Sequence, residues 1–359
     1  MIGLDRAGVY VELENVEADL IILGIRKKFP QAEPRKLAGA TQTFKINTRN
    51  INEIRVTDRF YKVLVRIDFS YPRYFDDDNL IPLATDIQKQ EVENDLCELI
   101  YEISLQKFKR EFLFYDYFEL CTQENIQSFY SYHNIISLFY KALKRKNDVK
   151  IGTRYEDYDL NSDFFYSTGF SFQMTPGWKI KLYNKTIEHN KHNEEKIKGG
   201  TIRLEHRLTR SLIIRYCGDS KVSNIKISDL KNMIVNQLSP ILFSYLKQEL
   251  ERDVGILYNN FKAFTSTELP SLVRDHQEHI LDEKIINYVV SKNSNKSRAQ
   301  IFRYRKKIRE ALAQYQSRGS PKRQNFGNIE RLEIFLNKIL LLNKKVKFNY
   351  EDGLTFSVT

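Results

Sequence analysis

The spacing of apolar and polar positions predicts strands and helices up to about residue 215 and a mostly helical chain after it. Five segments alternate or are rich in aromatic and β-branched residues, so we predict them as strands. They are 61–69 (YKVLVRIDF), 112–122 (FLFYDYFELCT), 163–174 (DFFYSTGFSFQM), 178–185 (WKIKLYNK) and 201–209 (TIRLEHRLT). Helical spacing covers 86–108 and 124–146, and Gly169 suggests a bulge. The pattern predicts an α+β fold, an antiparallel five-stranded sheet with flanking helices.

The C-terminal part reads as helices separated by polar turns. Two of them, 272–292 and 297–317, are joined by the short turn NSNK and predict a helix-turn-helix. Ser297 is a candidate cap of the second helix, and 345–358 suggests a terminal hairpin. We therefore divide the chain into four segments. They are a catalytic sheet domain (1–215), a helical connector (216–275), a basic DNA-binding region (276–325) and a C-terminal helix with a tail (326–359).

Composition adds a charge signal. The formal net charge is +11, and residues 292–323 contain eleven Lys or Arg and one acid, Glu310. Because almost the whole excess lies in that segment, we expect a polyanionic partner to bind there. The three cysteines, Cys97, Cys121 and Cys217, form no C-x-x-C pair, so neither a zinc site nor a disulfide framework is indicated. No signal-peptide pattern and no apolar run of about 18 residues occurs, so we predict a cytoplasmic protein without a membrane partner.

Two of the predicted strands place polar side chains on one face. Strand 178–185 directs the apolar residues Trp178, Ile180 and Leu182 to one side and its polar residues to the other. Strand 201–209 directs Ile202, Leu204, His206 and Leu208 to one side. If the two strands pair as a hairpin, their polar sets meet and Asp68 of 61–69 can join them. The combined polar set is Lys179, Lys181, Tyr183, Lys185, Arg203, Glu205 and Arg207.

Such a set suits cleavage of a phosphodiester bond. A tyrosine hydroxyl such as that of Tyr183 can attack phosphorus and form a covalent link. Free tyrosine ionises near pH 10, so neighbouring cations or a metal favour the reactive form. Carboxylates such as Asp68 and Glu205 could hold Mg²⁺ or Mn²⁺, while lysine or arginine stabilises developing charge on the phosphate. The competing interpretation is a solvated strand face with no chemistry.

The basic helix 297–317 is the second candidate site. Its N-terminal end could reach base edges and its cationic side chains could contact phosphates, as a recognition helix does. Ala299, Phe302, Ile308 and Leu312 are predicted to form its buried stripe. The alternative is an ordinary basic helix facing solvent. The candidate DNA-binding residues are Arg298, Gln300, Arg303, Arg305, Lys306, Lys307 and Arg309.

Four stretches together resemble replication initiators of the filamentous-phage gene II/X type, found on phages and plasmids. They also resemble, more distantly, the rolling-circle initiators and relaxases. The stretches are VRIDFSYPRYFDDDNL, WKIKLYNK, TIRLEHRLTR and KSRAQIFRYRKKIREA in their order along the chain. Each motif is short, and the resemblance rests on the set.

The resemblance implies a metal-dependent nickase that cuts one strand of a double-stranded origin and stays joined to the 5′ phosphate through tyrosine. Tyr183 would be the nucleophile, assisted by Lys181, Lys185 and Arg203, with Glu205 and Asp68 as ligands of Mg²⁺ or Mn²⁺. A third ligand is not placed, and Glu188 is one candidate. Partners would be the duplex origin, the single-stranded nicked product, and a host helicase or polymerase; a homodimer stays open.

Two other classes of protein remain open from the sequence. A non-enzymatic origin- or operator-binding protein with winged-helix domains would also be basic, but it would not need Tyr183 beside Glu205. A structural or interaction protein would use the many aromatic residues as core. Nicking of supercoiled DNA that disappears in Tyr183→Phe separates the enzyme from both.

Overall fold

The structure is a computed structural model. It describes all residues except 37–39, 47, 60, 77–79, 127–131, 146–153, 160–163, 193–195, 263–267, 269–270, 272–296, 318–328, 350–354 and 359. Within the described residues the chain forms twelve strands and nine α-helices, with short 3-10 and π segments between them.

The first ten strands form one sheet in the order β2-β3-β4-β5-β1-β6-β10-β9-β8-β7, and β11 pairs with β12 as a separate hairpin. The pairings β1–β5, β1–β6, β2–β3, β3–β4, β4–β5 and β7–β8 are antiparallel. The strands are β1 (Ile2–Glu14), β2 (Glu33–Lys36), β3 (Thr41–Lys45), β4 (Ile51–Arg59), β5 (Lys62–Ser70), β6 (Phe114–Ile126), β7 (Arg154–Asp159), β8 (Phe164–Thr175), β9 (Trp178–Asn184), β10 (Gly200–Thr209), β11 (Val346–Asn349) and β12 (Thr355–Val358).

The helices lie between and after these strands. They are α1 (Ala18–Lys28), α2 (Asp86–Ser104), α3 (His133–Arg145), α4 (Lys185–His192), α5 (Arg210–Cys217), α6 (Ile227–Met233), α7 (Ser239–Lys262), α8 (Arg298–Ser317) and α9 (Ile329–Ile334). No helix in the described part of the chain is both long and apolar enough to cross a membrane.

The α+β class and the five predicted strands are confirmed as β5, β6, β8, β9 and β10, and the terminal hairpin is confirmed as β11–β12. The expectation of a five-stranded sheet is wrong, because the described residues contain ten strands in it. The largest omission is β1. Leu4 and Ala7 are both fully buried although they are three residues apart, which hides the two-residue period of a strand.

An irregularity in β1 explains that spacing. Leu4 pairs with Leu120 and Ala7 with Phe118, so β1 contains one residue more than β6 in this stretch. Such a bulge shifts the side-chain alternation and redirects the side chains beside it. Here the shifted stretch contains Asp5 and Arg6, two charged residues within an otherwise apolar run.

The chain divides into two compact units built from interleaved segments. Unit 1 contains 1–123, 173–180 and 203–236, and unit 2 contains 124–172, 181–202 and 237–359. The four consecutive segments expected from the sequence stay a prediction, and the first predicted helix of the helix-turn-helix, 272–292, lies entirely outside the described residues.

Unit 1 has its core on one side of its strands. In the β1–β5 register Val9 pairs with Ile67 and Val11 with Val65, and all four side chains are buried. Gly24 of α1 lies so close to the α2 backbone that an added Cβ would stand 2.2 Å from the Ile103 carbonyl oxygen. The opposite side of these strands carries the polar residues of the candidate site.

Lys89 and Glu93 form an ion pair that is enclosed within unit 1. Lys89 and Glu93 of α2 are both almost fully buried, and Lys89 Nζ donates to Glu93 and, at 2.7 Å, to the Val222 carbonyl. Burial lowers the pKa of Lys89 and raises the pKa of Glu93. Removing one member would leave the other charge buried without its main partner. We therefore expect the pair to stabilise α2 only when both residues are present.

Candidate functional site

Tyr183 lies near the end of β9 with two lysines beside its ring. Lys181 Nζ is 3.8 Å and Lys185 Nζ is 6.0 Å from the ring centroid, both within the reach of cation–π attraction. Tyr183 exposes 5% of its surface and Lys185 2%. Unit 2 therefore places the predicted nucleophile within a cationic, nearly enclosed environment.

Glu188 neutralises part of this charge. Its two carboxylate oxygens lie 2.6 Å from Lys185 Nζ and 3.4 Å from Lys181 Nζ. The structure thus joins Glu188, a candidate third metal ligand in the sequence analysis, to the two lysines predicted to assist Tyr183. Two lysines and one carboxylate leave one net positive charge in the cluster formed by Lys181, Tyr183, Lys185 and Glu188, which we call the tyrosine cluster.

Lys185 belongs to a helix and not to the strand predicted for it. β9 ends at Asn184, whose Oδ1 accepts hydrogen bonds from the backbone N–H groups of Thr186 and Ile187. That is the bonding of a helix N-cap, and it starts α4 at Lys185. Asn184 therefore has a structural explanation, and the cap brings Glu188, one turn into α4, back towards Lys185.

Gly169 of β8 allows β9 to approach closely. A Cβ there would stand 2.1 Å from the Leu182 carbonyl oxygen and 2.7 Å from Tyr183 Cα, and the residue has φ of 152°. The register of β7 with β8 shifts at this point, between Tyr155 and Glu156, so the predicted bulge is confirmed. The glycine is needed because a side chain would push Tyr183 away from β8.

Asp68 is at the centre of a separate set of contacts in unit 1. Its Oδ1 accepts hydrogen bonds from Arg6 Nε at 2.8 Å and Asn52 Nδ2 at 2.9 Å, and its Oδ2 accepts one from the Tyr117 hydroxyl. Arg6 also forms an ion pair with it at 2.7 Å. Burial and the negative charge of Asp68 raise the pKa of Tyr117, which keeps that phenol protonated as a donor.

The hydrogen bonds at Asp68 restrict where a metal ion could bind. Its Oδ1 accepts from both Arg6 and Asn52, so a metal ion at that oxygen would have to displace one of them. In the described part of the chain its Oδ2 accepts only from Tyr117 and keeps a lone pair, so Asp68 stays a predicted ligand. Within the described residues, no group of three or more His, Cys, Asp or Glu side chains is arranged to hold a metal ion. Glu205, in β10, is 8% exposed and stays a predicted ligand.

Arg203 is enclosed within unit 1. It is 0% exposed, its Nε and Nη2 donate to Gln123 Oε1 at 2.9 and 2.7 Å, and its Nη1 donates to Asp5 at 3.2 Å. Nη2 also donates to the Leu80 carbonyl at 2.6 Å. A buried guanidinium with these partners fits a structural role, and its predicted action on a phosphate is untested.

His206 lies on the other face of β10, as its alternation with Arg203 and Glu205 predicted. It is fully buried, stacked on Trp178 with ring centroids 6.1 Å apart, and neither ring nitrogen has a hydrogen-bond partner in the described residues. Burial lowers its pKa to about 3. His206 is therefore neutral in the folded protein and belongs to the core.

The basic helix is present as α8, in unit 2. Ser297 caps it, since the Gln300 N–H donates to Ser297 Oγ at 3.3 Å and the Ser297 N–H donates to Gln300 Oε1 at 2.8 Å. This reciprocal pair is a capping box. The predicted DNA-binding side chains of α8 are all exposed: Arg298, Gln300, Arg303, Arg305, Lys306, Lys307 and Arg309.

The buried stripe predicted for this helix is wrong in its first turns. Ala299 is exposed and Phe302 exposes 70% of its surface, whereas Ile301 and Tyr304 are half-buried. The covered stripe is therefore rotated by about one residue, which is 100° around a helix. Phe302 stands among the cations as an exposed aromatic ring.

The predicted site residues are divided between the two units. Tyr183, Lys181 and Lys185 belong to unit 2, whereas Asp68, Arg203 and Glu205 belong to unit 1. Sequence reasoning missed Arg6, Asn52 and Tyr117 around Asp68. The only available signal was the charged pair Asp5–Arg6 interrupting an apolar run, which marks the bulge of β1.

No model of a known protein family matches the chain, and no curated protein matches it. Among solved structures, the chain is similar to the rolling circle replication initiator protein from Geobacillus stearothermophilus at 12% identity and a TM-score of 0.32, covering 71% of this chain and 83% of that one. It is also similar to the di-domain ARO/CYC StfQ of the steffimycin biosynthetic pathway at 9% identity and a TM-score of 0.18, covering 67% and 96%. Both TM-scores are too low to show a shared fold, so the function is argued from the residues.

Proposed function

We propose that this protein is a DNA nickase that forms a covalent phosphotyrosine link through Tyr183, as in the initiation of rolling-circle replication. The observation that carries the proposal is the tyrosine cluster, in which two ammonium groups lie against the ring of one tyrosine. Nearby positive charge favours an ionised phenol and a bound phosphate alike. The motif resemblance to gene II/X initiators agrees with it and remains a prediction.

The proposed cleavage exchanges one ester bond to phosphorus for another and needs no further reactant. Tyr183 Oη forms a bond to phosphorus, the bond from phosphorus to the 3′ oxygen breaks, and the phenol proton passes to solvent while the 3′ oxygen gains one. Lys181, 30% exposed, is the lysine of the cluster that a phosphate can reach most easily. Lys185 is buried and acts on the ring from within the fold.

Access to Tyr183 sets a condition on this activity. Because Tyr183 exposes only 5% of its surface, the proposal includes an opening of its surroundings when the substrate binds. A conformational step would then precede cleavage and would be visible in the kinetics of the reaction. The requirement for Mg²⁺ or Mn²⁺ is part of the proposal and is tested by chelation with EDTA.

The experiment is mass spectrometry of the protein after incubation with supercoiled origin DNA and Mg²⁺ or Mn²⁺. A peptide containing Tyr183 should carry a covalent nucleotide, and the nicked product should disappear in Tyr183→Phe. Tyr132→Phe is the matched control, because Tyr132 is also 5% exposed and belongs to the same unit. Nicking that survives in Tyr183→Phe would refute the assignment.

A non-enzymatic origin- or operator-binding protein is the second candidate, and α8 favours it. A capped helix with seven exposed polar or cationic residues at the positions predicted for DNA contact supports binding without cleavage. Specific retardation of a DNA fragment in a gel, with no nick and no adduct under the same conditions, supports this candidate over the nickase.

A further inference from the structure

Two arginines of unit 1 are stacked on tyrosine rings that lie on the polar face of its strands. The Arg207 guanidinium carbon is 3.8 Å from the ring centroid of Tyr117, and that of Arg210 is 4.8 Å from the centroid of Tyr10. Arg207 ends the polar row of β10, and Arg210 begins α5. We call these four residues, together with Arg66 of β5, the arginine–tyrosine surface.

The strands hold this surface in place. Tyr10 pairs with Arg66 across β1 and β5, and Gly8, two residues earlier on the same face, pairs with Tyr117. In β6 the register shift between the pairings Gly8–Tyr117 and Val9–Tyr115 makes Asp116 an extra residue beside Tyr117. Tyr10 and Tyr117 expose 6% and 7% of their surface, because the arginines and their neighbours cover them.

The arginines keep hydrogen-bonding capacity that the protein does not use. Arg207 exposes 42% of its side chain and has one carboxylate partner, Glu119, at 3.1 Å. In the described part of the chain Arg210 is exposed and donates only to the Ser220 hydroxyl at 3.4 Å. Arg66 lies 3.9 Å from Asp116, and its Nε has no partner in the same part of the chain.

Nearby carboxylates only partly neutralise this surface. Asp68 is engaged by Arg6, Asn52 and Tyr117. Glu119 pairs with Arg207 at 3.1 Å, and burial and the negative charge of Asp5 raise the pKa of this carboxyl. Within the described residues Arg210 has no carboxylate partner, so a phosphate can approach it without displacing an ion pair.

We infer that the arginine–tyrosine surface binds the phosphate backbone of single-stranded DNA, a substrate contact that is distinct from α8. Stacking fixes each guanidinium in a plane and leaves its N–H edge free for a phosphate. Because the tyrosine faces are already covered by arginine, bases cannot stack on them, and recognition is independent of sequence. The choice of single strands rests on the proposed function, since nicking releases a single-stranded end.

The test uses the full chain and a fluorescein-labelled single-stranded 20-mer of mixed sequence, with binding followed by fluorescence anisotropy. Arg207→Gln/Arg210→Gln should raise the Kd at least ten-fold. It should also make the plot of log K against log salt shallower by about 1.4, the value for two phosphate contacts on a single strand. The matched control is Arg26→Gln/Lys27→Gln on α1, two exposed cations of the same unit, which should leave the Kd within two-fold.

The single variant Arg210→Gln guards against a folding effect, because Arg210 is exposed and its one hydrogen bond is long. An unchanged Kd in both variants would overturn the inference, as would an equal loss of affinity for the duplex of the same sequence. The two proposals can fail separately. If the wild type forms no Tyr183 adduct but these variants still lose binding of the single strand, the nickase is refuted and the arginine–tyrosine surface is supported.

Discussion

The ring of Tyr117 lies directly on Gly8. A Cβ added to Gly8 would stand 2.6 Å from Tyr117 Cε1, a distance that carbon atoms do not reach without displacement. Gly8 belongs to β1, between β6, which carries Tyr117, and β5, which carries Asp68. The missing side chain lets the tyrosine cross β1 and donate its hydroxyl to Asp68 on the next strand.

We expect Gly8→Ala to destabilise the protein by about 1–3 kcal/mol, because the methyl group forces the Tyr117 ring away from β1 and breaks its hydrogen bond to Asp68. Urea unfolding measures the change. Gly255→Ala in α7 is the control: nothing lies within 4 Å of a Cβ there, so alanine should leave stability unchanged or raise it. Equal effects of the two substitutions would contradict the contact.

Asp68→Asn tests whether Asp68 is an acceptor or a metal ligand. Loss of its charge should lower stability by about 1–3 kcal/mol, since Arg6 loses its ion-pair partner and one hydrogen bond is replaced by a donor–donor contact. Binding of Mn²⁺, measured by calorimetry, should stay within two-fold of the wild type. A ten-fold weaker Mn²⁺ affinity would show instead that Asp68 is a ligand.

Folding stability should fall as the pH is lowered from 7 to 5 because of His206. Its folded pKa of about 3 lies below the unfolded value of 6.5, so the unfolded state binds more protons in this interval. Above pH 6.5 the contribution of neutral His206 to the free energy of unfolding is fully present. At pH 5 about 2 kcal/mol of it is lost.

Urea unfolding at pH 7, 6 and 5 measures the effect of His206. His206→Phe keeps a ring against Trp178 and should remove most of the pH dependence, whereas the control His189→Gln should retain it. An identical pH dependence in His206→Phe and the wild type would show that His206 does not titrate as its burial requires.

Binding of duplex DNA should depend on salt through α8. Neutralising Arg303, Arg305 and Lys306 by alanine should make the plot of log K against log salt shallower by about 2–3, because each exposed cation releases about one counter-ion on binding a phosphate. Alanine at Lys27, Lys107 and Lys109, three exposed cations of unit 1, is the control and should leave the slope unchanged. An unaltered slope in the α8 variant would exclude this helix from the interface.

Features that depend on neighbouring residues could be predicted from the sequence. The alternation of Trp178, Ile180 and Leu182 identified β9 and its buried face, and Ser297, as a candidate cap, marked the start of α8. Strand period and capping act within a few residues, so they are visible in a single sequence. The place of His206 on the apolar face of β10 followed from the same rule.

The pairing of distant residues was decided by the tertiary structure. Arg203 has the alternation of a polar-face residue, but Asp5, Leu80 and Gln123 enclose it from three other parts of the chain. Asp68 has the chemistry of a metal ligand, but bulges and a glycine in β1 direct Arg6 and Tyr117 onto it. Residue type and spacing therefore determined which groups carry charge, whereas strand order and bulges determined which partners neutralise them, because those contacts join residues 49 to 198 positions apart.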